Sequence, residues 1–371
     1  MELALNGIDC GYIEGRLGGF RSSFLKEEQY AHMRGLNSLE ELSAYLCSET
    51  DYGDYLDDGV ITIASLRQAL RKKLADEVDL IEANSSQRVA EFLYFVRAGP
   101  MLDNVMNIVE GLRAGVAFPK LLASVDPIGY FPELRQAEIG ASDLASLYEY
   151  VLIDSPVGNF FGTFLESVNA SRELRHFEEV QSFFKEERPE KVRGALRREL
   201  LERFNEHCQT LGNTSAEIMS RLLDMEADFR TIQVAYNSLE DNKEEREVIR
   251  NKLSPAMGQL YPLYQSSISQ ADSLESLRDS VRPFSQYRRI LNEVAEQGSS
   301  GPSLEDLMYE EEVREFSLVF DQQANLASYY AYVRLKDQEI RNIIWYSEMI
   351  VRRLDKNHQG WKRIVVPFSN I

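Results

Sequence analysis

The chain has 371 residues, a length that can bury a large core, and its 60 acidic against 41 basic residues give a formal net charge of −19. This acidity argues against a general nucleic-acid binder, because neutralising phosphates requires clustered Lys and Arg, and it favours basic partners. Three cysteines, Cys10, Cys47 and Cys208, are too few for a disulfide framework and indicate a reducing compartment. No apolar run approaches the roughly 18–20 residues that span a bilayer, and no secretory signal is visible, so the sequence predicts a soluble, cytosolic protein.

Helical periodicity runs through most of the chain. Apolar residues recur at three- and four-residue spacing in seven segments, namely 61–80, 89–96, 144–153, 196–204, 218–239, 313–335 and 340–354. Ser38, Thr214 and Ser303 each stand three residues before a carboxylate, which is the capping-box pattern that begins a helix. Alternating, strand-like patterns are scarce. The sequence therefore predicts an all-α fold.

Local breaks separate these predicted helices. Gly- and Pro-containing segments predict turns at 98–100, 126–129, 253–255 and 298–302. Dense mixed charge at 185–190 and 240–247 is typical of solvated helix ends or loops. Since no linker is long enough to separate independent domains, we expect the whole chain, 1–371, to form one unit.

Two patterns each recur three times along the chain. A short amphipathic helix followed by a turn is predicted at 39–46, 143–150 and 273–278, and a polar-led apolar helix at 103–109, 228–234 and 339–345. The period is roughly 110–125 residues, much longer than a solenoid repeat. The simplest interpretation is a pseudo-threefold array of three similar helical lobes, approximately 1–115, 116–245 and 246–371. The alternative is that unrelated amphipathic helices merely look alike.

Little in the sequence points to catalysis. Glu173 and His176 form one Glu-x-x-His pair, whereas a di-iron bundle needs two such motifs and two further Glu, so a surface helix is the better explanation. His207 and Cys208 are adjacent, and neighbouring helix positions point about 100° apart. The glycine-rich segment 15–19 lacks the Lys-Ser/Thr ending of a nucleotide-binding loop. We expect no catalytic residue, no metal and no cofactor.

A set of polar residues stands at the heads of strongly apolar helical segments. Its members are Asp103, Asn104, Glu226, Asp228, Arg230, Glu339 and Arg341. Three explanations are open. The side chains are paired inside the fold, as buried charges usually are; or they are helix-start residues favoured by the macrodipole; or they line an inner cavity that receives another protein. The third explanation requires the three copies to share an axis, because only then do the polar heads converge.

Several short segments, none of them a strong motif, together resemble one known family in order and spacing. They are 11–15, 39–42, 50–53, 101–105, 126–129, 152–156, 160–161, 211–219, 226–230, 260–262 and 330–343. The densest is 211–219, Leu-Gly-Asn-Thr-Ser-Ala-Glu-Ile-Met. This ordered series resembles the subunit d family of V-type proton-translocating ATPases, which has relatives among the archaeal-type ATPases. The chain departs from the family pattern at 177–190 and after Val366.

The resemblance implies that the protein couples the motions of other subunits mechanically and catalyses no reaction itself. It implies an all-helical, funnel-shaped protein of three lobes, bound peripherally at the cytosolic face of vacuolar, endosomal or lysosomal-type membranes. There it would couple rotation of the central-stalk subunits D and F to the proteolipid c-ring, for proton transport and organelle acidification, and contact the stator a subunit. The net charge of −19 disfavours adhesion to anionic lipid, so we expect attachment through protein contacts without direct lipid insertion.

On this interpretation the seven polar residues form the candidate partner interface. Charge reversal at Asp228 or Glu339 is then expected to uncouple hydrolysis from pumping, or to prevent assembly, without abolishing folding. The alternative function is a helical scaffold or tether outside any rotary ATPase. A helical enzyme that uses Glu173 and His176 would instead contain bound metal.

Overall fold

The computed structural model describes residues 2–56, 61–140, 147, 155–172, 188–298, 301–322, 325–355 and 359–369. Across these ranges the chain is helical and has no strand, which confirms the predicted all-α class. The α-helices are α1 Glu2–Arg21, α2 Glu27–Met33, α3 Leu39–Glu49, α4 Ile63–Glu82, α5 Gln87–Arg113, α6 Phe118–Leu122, α7 Pro132–Gly140, α8 Gly158–Arg172, α9 Pro189–Thr210, α10 Asn213–Asn237, α11 Lys243–Leu253, α12 Gln265–Gln270, α13 Leu274–Ser280, α14 Ser285–Gln297, α15 Leu304–Phe320 and α16 Ala327–Val351. Three short 3₁₀ helices are Gly53–Tyr55, Pro127–Gly129 and Gln359–Arg363.

The chain divides into two compact units. The first comprises Met1–Ala90, Leu211–Leu222 and Arg282–Ile371, and the second comprises Glu91–Thr210 and Leu223–Val281. Helices α5 and α10 each contribute residues to both units. The three lobes predicted at 1–115, 116–245 and 246–371, and their funnel arrangement, stay a prediction.

Helix α16 is the centre of the first unit. It is buried on nearly all sides, with polar as well as apolar side chains enclosed, and it packs against α15, α4, α1 and α3. One end of this core is aromatic. The ring of Phe24 meets Phe320, Tyr332 and Phe368 edge-on, at centroid distances of 5.2–6.3 Å. Such edge-to-face contacts add to the burial energy and fix the positions of the rings.

Helix α5 is the centre of the core of the second unit, and it contradicts one predicted turn. The segment 98–100 was expected to end a helix, yet Pro100 lies inside α5. The neighbouring residues Ala98 and Leu102 are buried, so tertiary packing overrides the local preference of proline. The 3₁₀ turn at 127–129 packs directly on this point, because a Cβ added to Gly129 would lie 2.3 Å from the carbonyl carbon of Pro100.

Helix ends agree with the sequence at most of the predicted positions. The hydroxyls of Ser38 and Ser303 accept the backbone N–H groups of Glu41 and Asp306, which confirms both predicted caps. Helix α10 begins one residue before Thr214, so that residue lies in the first turn and is not the cap. The other differences between the predicted and the observed helices concern the residues at which a helix begins or ends.

The structure describes all or part of four further predicted segments. The predicted run 313–335 is split, because α15 ends at Phe320 and α16 begins at Ala327. The turns predicted at 126–129 and 253–255 are confirmed by a 3₁₀ helix and by the end of α11. Apart from Leu147, the helix predicted at 144–153 lies outside the described residues. Within the described ranges, every helix is too short or too polar to cross a membrane.

Candidate functional site

The structure places the seven predicted polar residues in two different units. Glu339 and Arg341 lie on α16 in the first unit, and the other five lie on α5 and α10 within the second. All seven stand several residues from either end of their helices. Because the helix dipole acts mainly on the first and last turns, the helix-start explanation is wrong for this set.

Glu339 is fully buried and belongs to an internal ion pair. One carboxylate oxygen accepts the hydroxyl of Tyr52 at 2.7 Å and the ammonium of Lys336 at 2.8 Å. The other accepts the backbone N–H of Leu25 at 2.5 Å. The Lys336 ammonium also lies 4.4 Å from the ring centroid of Phe24. Each charge is thus supplied with partners, which is the condition for burying an ion pair.

A second ion cluster lies beside the first. Lys73 on α4 pairs with Asp51 at 2.9 Å and with Glu77, whose other oxygen accepts the hydroxyl of Tyr332. Burial acts to lower the pKa of Lys73, but Glu77 and Asp51 together outweigh it and raise that pKa. The ring of Tyr52 joins the two clusters, since its centroid lies 5.2 Å from Lys73 Nζ. The two clusters together form what we call the polar core of the first unit, which comprises Glu339, Lys336, Tyr52, Lys73, Asp51, Glu77 and Tyr332.

Two tyrosines of this polar core, and Tyr30 near Glu339, have raised pKa values. Burial, reinforced by the charge of Glu339, raises the pKa of both Tyr52 and Tyr30 well above the usual range. Burial and Glu77 do the same for the pKa of Tyr332. Each phenol therefore keeps its proton to a higher pH than an exposed tyrosine does.

An open cleft of ≈ 740 Å³ lies beside the polar core and is lined in part by Lys73, Glu77 and Lys26. Its lining also includes Glu28, Glu49 and Asp51, so acidic side chains outnumber basic ones there. A smaller pocket of ≈ 60 Å³ lies beside Arg341, whose guanidinium stacks 3.5 Å from the ring centroid of Tyr309. Arg341 is exposed, unlike Glu339.

In the second unit, Asn104 fastens a turn to α5. Its side-chain amide donates to the carbonyl of Asp126 at 2.9 Å, and its oxygen accepts the N–H of the same residue at 2.7 Å. The carboxylate of Asp126 in turn accepts the N–H of Ile128 at 3.0 Å. The buried amide thereby fixes the 3₁₀ turn at 127–129 against the core.

Asp228 is fully buried on α10 and fixes a second irregular segment. Its two oxygens accept the backbone N–H groups of Gln259 and Leu260 at 3.1 and 3.0 Å. Gly258 precedes them with a φ of +99°, and a Cβ there would lie 2.3 Å from the Asp228 carboxylate. Only glycine meets both the backbone angle and the close approach.

The remaining residues of the set lie nearer the surface. Asp103 forms ion pairs with Arg193, at 3.0 Å, and with Arg197. Arg230 is half-buried and donates to the carbonyl of Gly194 at 3.1 Å; burial, aided by Arg197, lowers its pKa to about 10. Glu226 is half-buried and has interactions of its own. These residues have both internal partners and accessible surface.

The seven residues of the predicted interface differ in burial. Asn104, Asp228 and Glu339 are buried side chains with partners inside the chain, so the first of the three explanations, internal pairing, accounts for them. They have no surface to offer a partner protein directly. Direct contact stays a prediction for the accessible members of the set, Asp103, Glu226, Arg230 and Arg341.

Sequence analysis missed other buried charges. Arg250 on α11 is 1% exposed and donates to the hydroxyl of Ser238 and to the carbonyls of Ala235, Ile268, Ser269 and Ala271, at 2.5–3.1 Å. Burial lowers its pKa to about 10. Backbone acceptors leave no signature in a sequence. The pair of Lys336 and Glu339 did leave one, because three-residue spacing places both on one face of an apolar helix.

The described residues contain no group of three or more His, Cys, Asp and Glu side chains able to hold a metal ion. Glu173 and His176, the candidate enzyme pair, lie outside the described residues. Cys47 is exposed and free, and Cys208 is buried, which raises its pKa to about 12. The side chain of Cys10 lies outside the described residues.

Comparison with known proteins gives the family. The sequence profile of the ATP synthase (C/AC39) subunit family matches residues 13–359. V-type proton ATPase subunit d of Neurospora crassa is 31% identical over 370 residues, covering 95% of this chain and 96% of the relative. Subunit d of Dictyostelium discoideum is 30% identical, covering 93% and 92%, and that of Saccharomyces cerevisiae is 31% identical, covering 95% and 96%. The chain belongs to the ATP synthase (C/AC39) subunit family, which confirms the resemblance seen in the sequence.

Proposed function

We propose that this chain is a non-catalytic subunit of a V-type proton-translocating ATPase. It couples rotation of the central-stalk subunits D and F to the proteolipid c-ring, and so serves proton transport and organelle acidification. The observation that supports this most directly is the likeness to subunit d of V-type proton ATPases, which extends over 95% of the chain at 31% identity. Likeness at that length argues for the same kind of subunit rather than a shared fragment.

The packing of the first unit suits the transmission of torque. A subunit that transmits rotation must resist deformation under torque. Close-packed interiors whose polar groups are all hydrogen-bonded are stiff. The ion pair of Glu339 and Lys336 ties α16 to Leu25 and Tyr52, and so to segments more than 280 positions away in sequence. The second cluster, around Lys73, adds α4 to the same network.

The seven polar residues divide into two roles under this proposal. Asp103, Glu226, Arg230 and Arg341, which are accessible, contact partner subunits directly. Asn104, Asp228 and Glu339 act from inside the chain by holding the surrounding segments in position. Charge reversal at Asp228 or Glu339 would therefore damage the fold itself, so it cannot serve as a clean test of coupling.

The expected setting is the cytosolic face of a vacuolar, endosomal or lysosomal-type membrane. Attachment there is peripheral and made through proteins, namely the c-ring and the stator a subunit. A chain with a net charge of −19 is repelled by anionic headgroups, which supports attachment without direct lipid insertion.

Affinity purification from the native cell tests the proposal. The tagged full-length chain is isolated from a detergent extract, and its partners are identified and quantified by mass spectrometry. We expect proteolipid, central-stalk subunits D and F and the stator a subunit in fixed ratio to the chain, and none of the proteolipid when a non-interacting tagged protein is used as control. Recovery of the chain with other helical assemblies and without these subunits would favour the scaffold or tether function.

A further inference from the structure

The small pocket beside Arg341 lies entirely in the first unit and is lined from three elements. Helices α15 and α16 form two of its walls, and the segment 363–365 forms the third. Among its lining side chains are two arginines, Arg341 and Arg363, and one acid, Asp306. The charged groups of this pocket are therefore positive in sum, on a chain whose formal net charge is −19.

Arg341 differs from other arginines of α16 in its partners. Arg334, two turns earlier on the helix, forms an ion pair with Glu312 at 2.8 Å. The guanidinium carbon of Arg341 lies 3.5 Å from the ring centroid of Tyr309, and within the part of the chain that the structure describes it has no carboxylate partner. The ring holds this side chain in place, while its charge is left without a counter-ion.

The aromatic contact also determines which donors of Arg341 are left for a ligand. A guanidinium that stacks on a ring uses its flat face, so its five N–H groups, which lie in its plane, can still donate. Arg363 is placed similarly, at 5.8 Å from the ring centroid of Trp345. Its Nε lies 3.5 Å from Asp306, longer than the roughly 2.7–2.9 Å of a charge-assisted hydrogen bond. Both arginines therefore have donors to offer to an anion.

Hydrogen bonds hold the third wall of the pocket against α16. The side-chain amide of Asn342 donates to the carbonyl of Val365 at 2.7 Å, and Gln338 donates to Asn342 at 2.9 Å. The indole N–H of Trp345 donates to the carbonyl of Gly360 at 2.8 Å. The segment that carries Arg363 is thus fixed before any ligand arrives, and a site formed in advance loses little conformational entropy on binding.

The carboxylate of Asp306 determines which anion the pocket can accept. Its Oδ2 accepts the backbone N–H of Ser303 at 3.0 Å and faces Arg363, whereas Oδ1 has no hydrogen bond within the described ranges. A carboxylate repels a fully ionised anion, but it accepts a hydrogen bond from an anion that still carries a hydroxyl. Orthophosphate keeps a hydroxyl at neutral pH, and sulfate does not. The pocket is therefore suited to a protonated oxyanion.

We propose that this pocket binds one orthophosphate ion. Arg341 and Arg363 donate to its ionised oxygens, and Oδ1 of Asp306 accepts from its hydroxyl. Since about 10–15 Å³ of a cavity holds one water molecule, the ≈ 60 Å³ pocket has room for a single small polyatomic ion and not for a nucleotide. The planar donors of arginine match phosphate oxygens. This assignment goes beyond the proposed function, and a carboxylate of a partner subunit is the competing occupant of Arg341.

Isothermal titration calorimetry on the purified full-length chain tests the assignment, with orthophosphate and sulfate as the two titrants. We expect orthophosphate to bind at one site with a Kd of about 1 mM or tighter, and sulfate to bind about tenfold more weakly or worse. Absence of saturable orthophosphate binding overturns the proposal, and so does equal affinity for the two anions.

Two arginine variants locate the binding site. Arg341→Gln removes charged donors and should weaken orthophosphate binding about tenfold or more. Arg352→Gln is the matched control, because Arg352 is an exposed arginine directly after α16 and does not line the pocket; it should weaken binding less than about twofold. Thermal melts verify that both variants are folded. Equal affinities in the two variants overturn the assignment.

Asp306→Asn tests the choice of phosphate. The amide oxygen of Asn can still accept the N–H of Ser303, so the start of α15 is kept, while the other atom of the group becomes a donor. We expect sulfate to bind this variant within about twofold of orthophosphate. A tenfold preference for orthophosphate that survives in Asp306→Asn refutes the role of Asp306 and with it the reason for choosing this anion.

The same variant of Arg341 separates this proposal from the proposed function. If the isolated chain binds no orthophosphate, and Arg341→Gln lowers recovery of the ATPase subunits, the occupant is a partner carboxylate; the phosphate site is refuted and the proposed function stands. If the chain binds orthophosphate through Arg341 and recovers no ATPase subunit, the phosphate site stands and the proposed function is refuted.

Discussion

The two units bury charge in different ways. In the first, opposite charges neutralise each other, as in Lys336 with Glu339 and Lys73 with Glu77. In the second, Asp228 accepts two backbone N–H groups of a loop, and Arg250 donates chiefly to backbone carbonyls at the ends of α10 and α12. Helical amides and carbonyls are already hydrogen-bonded, whereas those of a loop need partners. Each of these ion pairs lies within one helix, α16 or α4, whereas the lone buried charges of the second unit join one helix to backbone groups of other segments.

The largest effect should follow from breaking an ion pair on one side only. Glu339→Ala leaves the ammonium of Lys336 buried without its carboxylate, and such losses cost about 3–5 kcal/mol of unfolding free energy. Urea denaturation followed by circular dichroism measures the change. Glu348→Ala is the matched control on the same helix, because its ion pair with Arg352 is largely exposed and should contribute less than about 1 kcal/mol.

The double variant Glu339→Gln with Lys336→Met sharpens this result. Replacing both charges removes the uncompensated ion, so most of the lost stability should return. If Glu339→Ala and the double variant are equally unstable, the pair does not act as a unit and the contrast drawn between the two regions is wrong.

A smaller loss is expected in the second unit. Arg250→Met removes the donor for several buried carbonyls, and unsatisfied buried acceptors cost about 1–3 kcal/mol. Lys243→Met, on an exposed position of the same helix, should change unfolding free energy by less than about 0.5 kcal/mol. Since Arg250 holds 268–271, the loss should appear with faster hydrogen exchange in that segment. Unchanged exchange there would contradict the fastening role.

The two units also differ from the sequence-based predictions in ways that show which features of the fold a sequence can predict. Periodicity and capping patterns predicted most helices and two helix starts, because both are local. Pro100 inside α5 was not predicted, since the burial that overrides proline depends on distant packing. The hydrogen bond from the backbone N–H of Leu25 to the carboxylate of Glu339 was not predicted either, because the two residues lie 314 positions apart in sequence. Among the buried ions, the spacings Lys336–Glu339 and Lys73–Glu77 were visible in the sequence, because the partners of each pair share one helix.

Alkaline pH offers a way to perturb the first unit through its tyrosines. Below about pH 10 the phenols of Tyr30, Tyr52 and Tyr332 are protonated whether the chain is folded or unfolded, so they add no pH dependence. Above it, the unfolded chain loses these protons and the folded chain keeps them, because burial raises each pKa. The unfolding free energy should therefore fall as pH rises.

The raised pKa of Lys73 acts in the same direction, since the stabilisation from its ion pairs is lost as pH rises through the folded-state value. Absorbance at 295 nm measures phenol ionisation directly. We expect the three buried tyrosines to ionise only when the protein unfolds. Tyr52→Phe should weaken the pH dependence, and ionisation of all tyrosines in a single step before unfolding would contradict the buried assignment.

The smallest effect concerns thiol reactivity, in which Cys208 reports on the second unit and Cys47 on the first. Burial raises the pKa of Cys208 to about 12, so almost no thiolate forms at neutral pH, while Cys47 is exposed. An alkylating reagent followed by peptide mapping should label Cys47 first and Cys208 only when its surroundings open. If Arg250 stabilises this unit as its contacts indicate, Arg250→Met should label Cys208 about tenfold faster or more, and Lys243→Met should not. Equal rates in the two variants would mean that the region around Cys208 opens without disturbing Arg250.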